Sequence, residues 1–505
     1  MIILAQFVCY NYSPYYFSII ILMIKGIRLI ATGVLVGMSV SVTAYGEVVT
    51  LDSCRSMAMR NNKTIAIAEE TVKGTEYDRK AARSLYLPGI DFSAAYMYNQ
   101  RKINLLSEDA KLPTMSFNPG TGKFDWNILT DPSGNPILNP DGGGHIPTEV
   151  AVIPKDALSF DTHNIFAGAV TLTQPVFMGG TIKALNDIAT YAGKAAVAGR
   201  NAVVQEVTYT VDQSYWLVVS LKAKKKLAES FVELVDSLHS NVQAMYDEGV
   251  ATRSDVLTVD VKLNEAKIML IKVNDGLTLA RMNLAQVCGL PADTEMTLSD
   301  EEFEGIPSHA PQYTAEMSDV YSRRQDLEAL RQGINVLKGR EKIVLGTMLP
   351  KLGVFGSYQF STPNLNNGFS KKVGGGFTVG AALTVPIWHW GGRYNHLKSA
   401  KSATRAQELM LEDMEEKIRL QVSQARFKFQ EAFKTYDMTK SSLRSAEENL
   451  RNAELAYNEG LMTANDVILA QTGWLKANSE NIDAAIGIRL CDVYLSKVLG
   501  TLGQD

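Results

Sequence analysis

The sequence has little of the residues from which enzymes, metal centres and nucleic-acid interfaces are usually built. Its 505 residues include four cysteines and six histidines, and neither type shows the spacing of a metal site or a catalytic triad. A net charge of -4 offers no basic stripe for nucleic acid, and 46% hydrophobic residues argue against a disordered chain. These absences predict a protein that is not an enzyme, needs no cofactor or metal and binds no nucleic acid. Three cysteines are interpreted as small buried hydrophobic residues: Cys54, Cys288 and Cys491.

Residues 1-46 have the pattern of a secretory leader. The short basic stretch Met23–Arg28 precedes the apolar stretch 29–42, and Ala44-Tyr45-Gly46 supplies small residues for cleavage. We expect translation to start at Met23, and an N-terminal membrane anchor is the alternative. Beyond this leader no apolar stretch reaches the roughly 20 residues that a membrane-spanning helix needs. An exported chain of this size is periplasmic, secreted or an outer-membrane barrel.

The region after the leader contains two copies of one sequence pattern. The segment Tyr246-Asp247-Glu248-Gly249 recurs as Tyr457-Asn458-Glu459-Gly460, and Leu87-Pro88 recurs as Leu349-Pro350. The matches occur in the same order in both copies, which indicates an internal tandem repeat. We therefore divide the chain into a leader, a first repeat, an equatorial linker and a second repeat: 1-46, 47-290, 291-314 and 315-505.

Each copy is predicted to contain a helix, two strands, a long helix, a turn and a final helix. The three helices of each copy are expected at these positions: about 50–86, 181–246 and 252–288 in the first, and about 315–348, 393–457 and 463–499 in the second. At 1.5 Å per residue the long helices would extend roughly 100 Å, which is too far for a compact domain. Their apolar residues recur with coiled-coil spacing, which predicts helical hairpins that project from the strands.

Alternation of apolar and small polar residues marks two strands of about ten residues in each copy, with Met97 and Phe355 as exceptions. The second strand of each copy is expected to end before Pro175 or Pro386, since proline cannot donate to a ladder. The small polar face is what a water-filled lumen requires, although a soluble sandwich would explain the alternation equally well. The apolar face is predicted to contact lipid through Phe92, Tyr96, Val170, Leu172, Val354, Tyr358, Val379 and Leu383.

Four strands cannot close a barrel in a membrane, because known barrels need about eight. Open sheet edges are not tolerated in lipid, so several chains must share one barrel. Three chains give a lumen, whereas the interior of a barrel from two chains would be filled by side chains. The predicted fold is an α+β membrane protein, in which a trimeric β-barrel with four strands per chain continues into a long α-helical coiled-coil barrel. The long loop at about 102–162 and the short loop at about 362–373 are expected outside the cell.

The turns between the long and final helices resemble those of the TolC-like outer-membrane efflux proteins. They read Gly249-Val250-Ala251-Thr252-Arg253-Ser254-Asp255-Val256-Leu257 and Gly460-Leu461-Met462-Thr463-Ala464-Asn465-Asp466-Val467-Ile468. The resemblance extends over nearly all of the chain after the leader. It implies a homotrimer in the outer membrane with a large periplasmic portion. It also implies a periplasmic adaptor (membrane fusion) protein and an inner-membrane transporter as partners.

In that family the turns form the periplasmic tip, where the adaptor docks and the tunnel narrows. By position, the resemblance implies adaptor contacts at Gly249, Thr252, Gly460 and Thr463. These residues also have an ordinary structural interpretation, because the glycines can end one helix and Thr-x-x-Asp can cap the next. The two roles are compatible.

The predicted periplasmic gate consists of Asp466, Leu469 and Asp255. Asp466 matches an acidic constriction residue of the family, and a ring of three carboxylates would attract cations. Well-known members have a second acid three residues later, where this chain has Leu469. A partly apolar gate is therefore the alternative to a strongly cation-selective one.

The predicted function is the passage of substrates from an inner-membrane pump and its adaptor across the periplasm and the outer membrane. A duct for type I protein secretion is the alternative within the same architecture, because the pump that selects the substrate is a separate protein. A secreted coiled-coil surface protein would explain the helices and the leader, but not the paired strands. The acidic stretch Asp300-Glu301-Glu302 is expected to be a solvated loop and not a metal site.

Overall fold

A computed structural model describes residues 48–140, 144–301, 316–364 and 372–503. The predicted leader, much of the predicted linker and part of each loop between the paired strands lie outside the described residues. The helices are α1 Leu51–Asn61, α2 Lys63–Ser84, α3 Thr181–Asp247, α4 Arg253–Val287, α5 Met317–Arg323, α6 Gln325–Gly346, α7 Gly392–Asn458 and α8 Ala464–Leu499. Within the described ranges, no helix combines the length and the apolar character that crossing a bilayer requires.

The strands form one four-stranded sheet and several two-stranded ladders. The strands are β1 Val48–Val49, β2 Gly89–Tyr98, β3 Ile103–Asn104, β4 Ala110–Pro113, β5 Met115–Asn118, β6 Lys123–Trp126, β7 Val150–Ile153, β8 Ser159–Phe160, β9 Asn164–Met178, β10 Thr297–Leu298, β11 Lys351–Thr362 and β12 Gly374–Thr384. The large sheet is antiparallel with the order β12-β11-β9-β2. The loop predicted at about 102–162 contains the ladders β3–β8, β4–β7 and β5–β6 and a short 3₁₀ helix, Lys155–Leu158.

The same elements follow one another in both halves of the chain. Two shorter helices, two sheet strands, a long helix and a final helix occur first as α1, α2, β2, β9, α3 and α4, and again as α5, α6, β11, β12, α7 and α8. The long helices α3 and α7 each contain 67 residues, which corresponds to roughly 100 Å. Each pairs with the final helix of its half as a long antiparallel hairpin.

Each half begins with two helices where the sequence predicted one, so the predictions of single helices at 50–86 and 315–348 were wrong. The backbone of Asn62 is extended, with φ −68° and ψ 124°, and that of Arg324 has φ −73° and ψ 109°. Asn62 Oδ1 accepts a hydrogen bond from the amide of Thr64 at 2.8 Å and so caps α2. Neither break carries a proline or a glycine, the residues that usually mark one.

Strand β9 continues through Pro175, although the sequence predicted that the strand would end before it. Gly353 pairs with Pro175 and Leu352 pairs with Phe177, so Val176 is an extra residue on β9. Such a bulge interrupts the regular ladder and tolerates proline, because no N–H is required there.

The core follows the helix seams as a series of apolar clusters. One cluster joins α1, the middle of α3 and the end of α4, a second lies at the far end of α3, α4, α7 and α8, and a third joins α5 to α8. Val211, Val235, Val259 and Ile418 on these seams are completely buried. Burial of one such side chain contributes about 1.5–3 kcal/mol, so the seams hold the helices together along their length.

Candidate functional site: the hairpin tips and the sheet

The turns at the two hairpin tips are built in the same way. Gly249 and Gly460 have φ +79° and +71°, the left-handed conformation that glycine adopts without strain. The amide of Gly249 donates to the carbonyl of Tyr246 at 2.9 Å, and the amide of Val250 donates to that of Met245 at 2.8 Å. The second tip repeats both bonds at the same distances. This pattern is a Schellman motif, which satisfies the last carbonyls of α3 and α7.

The next helix begins at each tip with a capping box. Thr252 Oγ1 accepts from the amide of Asp255 at 3.3 Å, while Asp255 Oδ2 accepts from the amide and the hydroxyl of Thr252 at 2.9 and 2.7 Å. Thr463 and Asp466 make the same three bonds at the same distances. Gly249 and Gly460 therefore end helices, as the structural interpretation predicted. The two Thr–Asp pairs begin the helices that follow.

Electrostatics keep both tip carboxylates ionised. The hydrogen bonds from Thr252 hold the pKa of Asp255 below its usual value, and those from Thr463 do the same for Asp466. Each capping box thus carries a negative charge that its hydrogen bonds hold in place. Leu469 lies one helical turn after Asp466 with 64% of its surface exposed.

The two tips lie at the same end of the molecule. Tyr457 Oη donates to Met245 Sδ at 3.3 Å, and Gln471 Nε2 donates to the carbonyl of Leu234 at 3.4 Å. Tyr457 is nearly buried, and its pKa is raised by burial and by the nearby charge of Asp255. The predicted adaptor residues and gate residues of the two repeats therefore lie at the same end of the molecule.

Two apolar tip residues were missed by sequence reasoning. Val250 is 78% exposed and Leu461 is 80% exposed, although each directly follows the glycine of its turn. Their side chains contribute almost nothing to the core of the chain and present apolar surface at the tips. The available signal was the recurrence of an apolar residue at the same position in both copies.

All predicted lipid-facing residues lie on one face of the sheet. Phe92 is opposite Val170, Val170 is opposite Tyr358, and Tyr358 is opposite Phe377. Residues directly opposite one another share a face, and residues two apart on a strand return to it. The exposed fractions on this face include 66% for Phe92 and 77% for Val379.

The other face of the sheet is small and polar. One row across the four strands consists of Asp91, Thr171, Ser357 and Thr378. The hydroxyl oxygens of Thr171 and Ser357 lie 3.1 Å apart and share a hydrogen bond. A small polar face of this kind suits contact with water, as in a lumen or on the outer side of a sandwich.

Aromatic residues cover glycines on both faces of the sheet. Phe360, on the apolar face, lies over Gly168 and stacks on Phe92 at a centroid distance of 6.4 Å. Phe355 lies on the polar face against Gly380, where an added Cβ would approach its ring to 2.8 Å. The exception that Phe355 makes to the alternation is therefore explained by the cover that it gives to a glycine on the neighbouring strand.

The acidic residues between the halves are paired, which corrects the expectation of a solvated loop for the two that the structure describes. Glu301 accepts from Arg281 Nη2 at 2.6 Å and lies 3.7 Å from Lys222 Nζ, with its side chain only 8% exposed. Asp300 accepts a hydrogen bond from the hydroxyl of buried Tyr215. Within the described residues, no group of three or more His, Cys, Asp or Glu side chains could hold a metal ion.

Comparison with known sequences gives a family and several distant relatives. The family described as outer membrane efflux protein matches residues 143–290 and 317–501. The alkaline protease secretion protein AprF of Pseudomonas aeruginosa is 24% identical over 210 residues, 40% of this chain and 43% of that protein. CyaE of Bordetella pertussis is 21% identical over 340 residues, 67% and 71% of the two chains. The fusaric acid resistance protein FusA of Burkholderia cepacia is 24% identical over 269 residues, 52% and 49% of the two. The match therefore spans about half the length of two of these three relatives.

Solved structures share the fold over most of the chain. The outer membrane protein VceC of Vibrio cholerae superposes with a TM-score of 0.66 at 15% identity, over 89% of this chain and 96% of that one. The CmeC outer membrane channel of Campylobacter jejuni gives 0.67 at 16% identity, over 90% and 86%. Since the family match covers more than half of the sequence and the fold agrees, this chain belongs to the outer membrane efflux protein family.

Proposed function

We propose that this protein is the outer-membrane channel subunit of a tripartite efflux or export system. A periplasmic adaptor and an inner-membrane transporter would deliver substrates to it, and it would conduct them across the periplasm and the outer membrane. The observation that carries the proposal is one sheet with an exposed apolar face and a small polar face, joined directly to helices of 67 residues. The two faces of the sheet suit contact with a bilayer and with a lumen, and the long helices suit a duct through the periplasm.

The free edges of the sheet support a homotrimer. Strands β12 and β2 end the strand order, so each has one edge that is unpaired within the sheet. A bilayer does not tolerate unpaired backbone groups, so β2 of one copy would pair with β12 of the next. Three copies of four strands make a twelve-stranded barrel, which is wide enough for a lumen.

Exposed apolar residues on the helices support the same assembly. On α4, Val261 and Ile268 are seven residues apart and are 59% and 52% exposed. On α7, Leu420 and Phe427 are also seven residues apart and are 58% and 67% exposed. Apolar residues at this interval form a coiled-coil seam when another helix covers them. Neighbouring copies in a helical barrel would provide that helix.

The tips are the proposed periplasmic end of the duct. Gly249, Thr252, Gly460 and Thr463 would face the adaptor, with the apolar side chains that follow each glycine as additional contacts. In a trimer, Asp466 and Asp255 would contribute rings of three charges each, and Leu469 would add an apolar ring one turn away. Such a gate would attract cations and still present an apolar barrier when closed.

Conductance of the purified protein in a planar bilayer, with the oligomer mass taken on the same sample, tests the proposal. We expect a trimer with a low, gated conductance that prefers cations. A monomer without a pore would contradict the shared barrel and would favour the coiled-coil surface protein.

Export of a protein substrate is a second candidate, because one relative is named an alkaline protease secretion protein. Another relative is named a fusaric acid resistance protein, which points to a small molecule. Deletion of the gene separates the two. Loss of a secreted protein from the medium would favour protein export, and higher sensitivity to small toxic compounds would favour efflux.

A further inference from the structure

Two cysteines that are far apart in sequence meet in the core of the first repeat. Cys54 belongs to α1, and Cys288 directly follows α4, 234 residues later. Both are completely buried, and Cys288 Sγ donates to the carbonyl oxygen of Cys54 at 3.7 Å. The neighbouring Cys288 thiol and burial both raise the pKa of Cys54.

Packing alone does not require sulfur at this junction. In the second repeat a glycine with positive φ, Gly500, also follows the final helix, as Gly289 follows Cys288 in the first. The residue before Gly500 is Leu499, which is buried in an apolar cluster with Val320 of α5. Hydrocarbon side chains therefore fill the matching position, and the cysteine pair is particular to the first repeat.

We infer that Cys54 and Cys288 form a disulfide bond in the mature protein. The inference depends on the proposed location of this junction in the periplasm, which is an oxidising compartment. The Sγ–Sγ bond forms as the two thiols give up two protons and two electrons. A thiol–disulfide oxidoreductase would accept them, so that its own disulfide breaks and leaves as a dithiol.

Burial decides when the bond can form and how it behaves afterwards. Since neither sulfur is exposed, the exchange must occur during folding, before α1 closes over the end of α4. In the folded protein the bond would be out of reach of reductants. It would tie α1 to the end of α4 at the point where Asn62 Nδ2 also donates to the carbonyl of Val287 at 2.8 Å.

Differential alkylation of the protein from isolated outer membranes tests the inference. The sample is denatured without reductant and labelled with one alkylating reagent, then reduced and labelled with a second of different mass. We expect Cys491, which is partly exposed, to take the first label, and Cys54 and Cys288 to take only the second. Before reduction, the peptide pair should be linked and lighter by two hydrogens.

Single cysteine substitutions identify which two cysteines are bonded to each other. In Cys54→Ala the first label should appear on Cys288, and in Cys288→Ala it should appear on Cys54, whereas Cys491→Ala should leave both protected. These readouts are made in denaturant, so they hold even for a variant that folds poorly. First-step labelling of both Cys54 and Cys288 in the unaltered protein would overturn the inference. Membrane fractionation of the same cells reports separately on the proposed function.

Discussion

Asn62 and Val287 connect the two ends of the first repeat. Asn62 Nδ2 donates to the carbonyl oxygen of Val287, the last residue of α4, at 2.8 Å. In the second repeat, Arg324 Nη1 donates to the carbonyl of Val498 at 3.2 Å, again near the end of the final helix. Each helix break thus satisfies a carbonyl that the returning helix leaves without an intrahelical partner. The break and the end of the neighbouring helix are one structural unit in both halves.

We expect Asn62→Ala to lower stability by about 1–2 kcal/mol, because it removes both the bond to Val287 and the cap on Thr64. The matched control is Asn61→Ala, which alters an exposed neighbour of the same type and should be nearly neutral. Thermal unfolding followed by far-ultraviolet circular dichroism measures both. Equal effects of the two substitutions would show that the helix break is not held by Asn62.

Gly289→Ala should be more destabilising than Gly249→Ala. Both glycines have positive φ, which costs an alanine about 1–2 kcal/mol. At Gly289 an added Cβ would also lie 2.6 Å from the backbone carbon of Asn61, whereas at Gly249 it would meet open space. The difference between the two melting temperatures isolates the close approach of α1 to the end of α4. Similar melting temperatures would argue against this contact.

The apolar tip side chains offer a test of adaptor docking that avoids the helix caps. We expect Leu461→Glu to reduce cross-linking to the adaptor severalfold, because it places a charge on exposed apolar surface. Stability should be unchanged, since Leu461 is 80% exposed. Thr463→Arg should also weaken docking, but it removes a cap and so should lower the melting temperature as well. Normal cross-linking of both variants would show that the tip is not part of the adaptor interface.

Substitutions at neighbouring residues of β12 can distinguish the side of the sheet that faces lipid from the side that faces the lumen. Val379 lies on the apolar face with Phe377, and Thr378 lies on the polar face with Ser357. We expect Val379→Asp to prevent formation of heat-resistant oligomers in the outer membrane, because it places a carboxylate against lipid. Thr378→Asp should assemble normally. Tolerance of both would mean that neither face contacts lipid.

The ionised Asp466 should stabilise its tip only above acidic pH. Its folded-state pKa is lowered by the hydrogen bonds from Thr463. The stabilisation is therefore fully present above the unfolded value of about 3.9 and is lost as the pH falls through the lower folded value. The difference in melting temperature between the unaltered protein and Asp466→Asn should be present at neutral pH and should vanish below the folded-state pKa. A difference that is constant with pH would contradict the role of the charge.

Most elements could be predicted because their signals are local. The turns at Gly249 and Gly460 depend on residues within six positions of one another, and the capping boxes depend on residues three apart. The strand faces follow from a period of two along a single strand. Because the sequence is repeated, each of these patterns occurs twice. The predicted helix ends near the tips therefore lie within one or two residues of their observed positions.

The features that were missed depend on contacts across the fold. The break at Asn62 is supported by a carbonyl 225 residues away. Buried Glu301 is paired with Arg281 and Lys222, which reach it from two helices. Phe355 leaves the alternation because the residue opposite it on another strand is Gly380.

The sequence by itself determined the order and the approximate ends of the helices and the sheet strands, and the faces that the strands present. These follow from backbone capping and side-chain periodicity, which act between close neighbours in the chain. Only the tertiary structure decided where the first helices break, how β9 passes Pro175, which acidic residues are paired and that two cysteines meet. Each of these depends on the partner that folding brings from a distant part of the chain, and that partner cannot be read from local sequence.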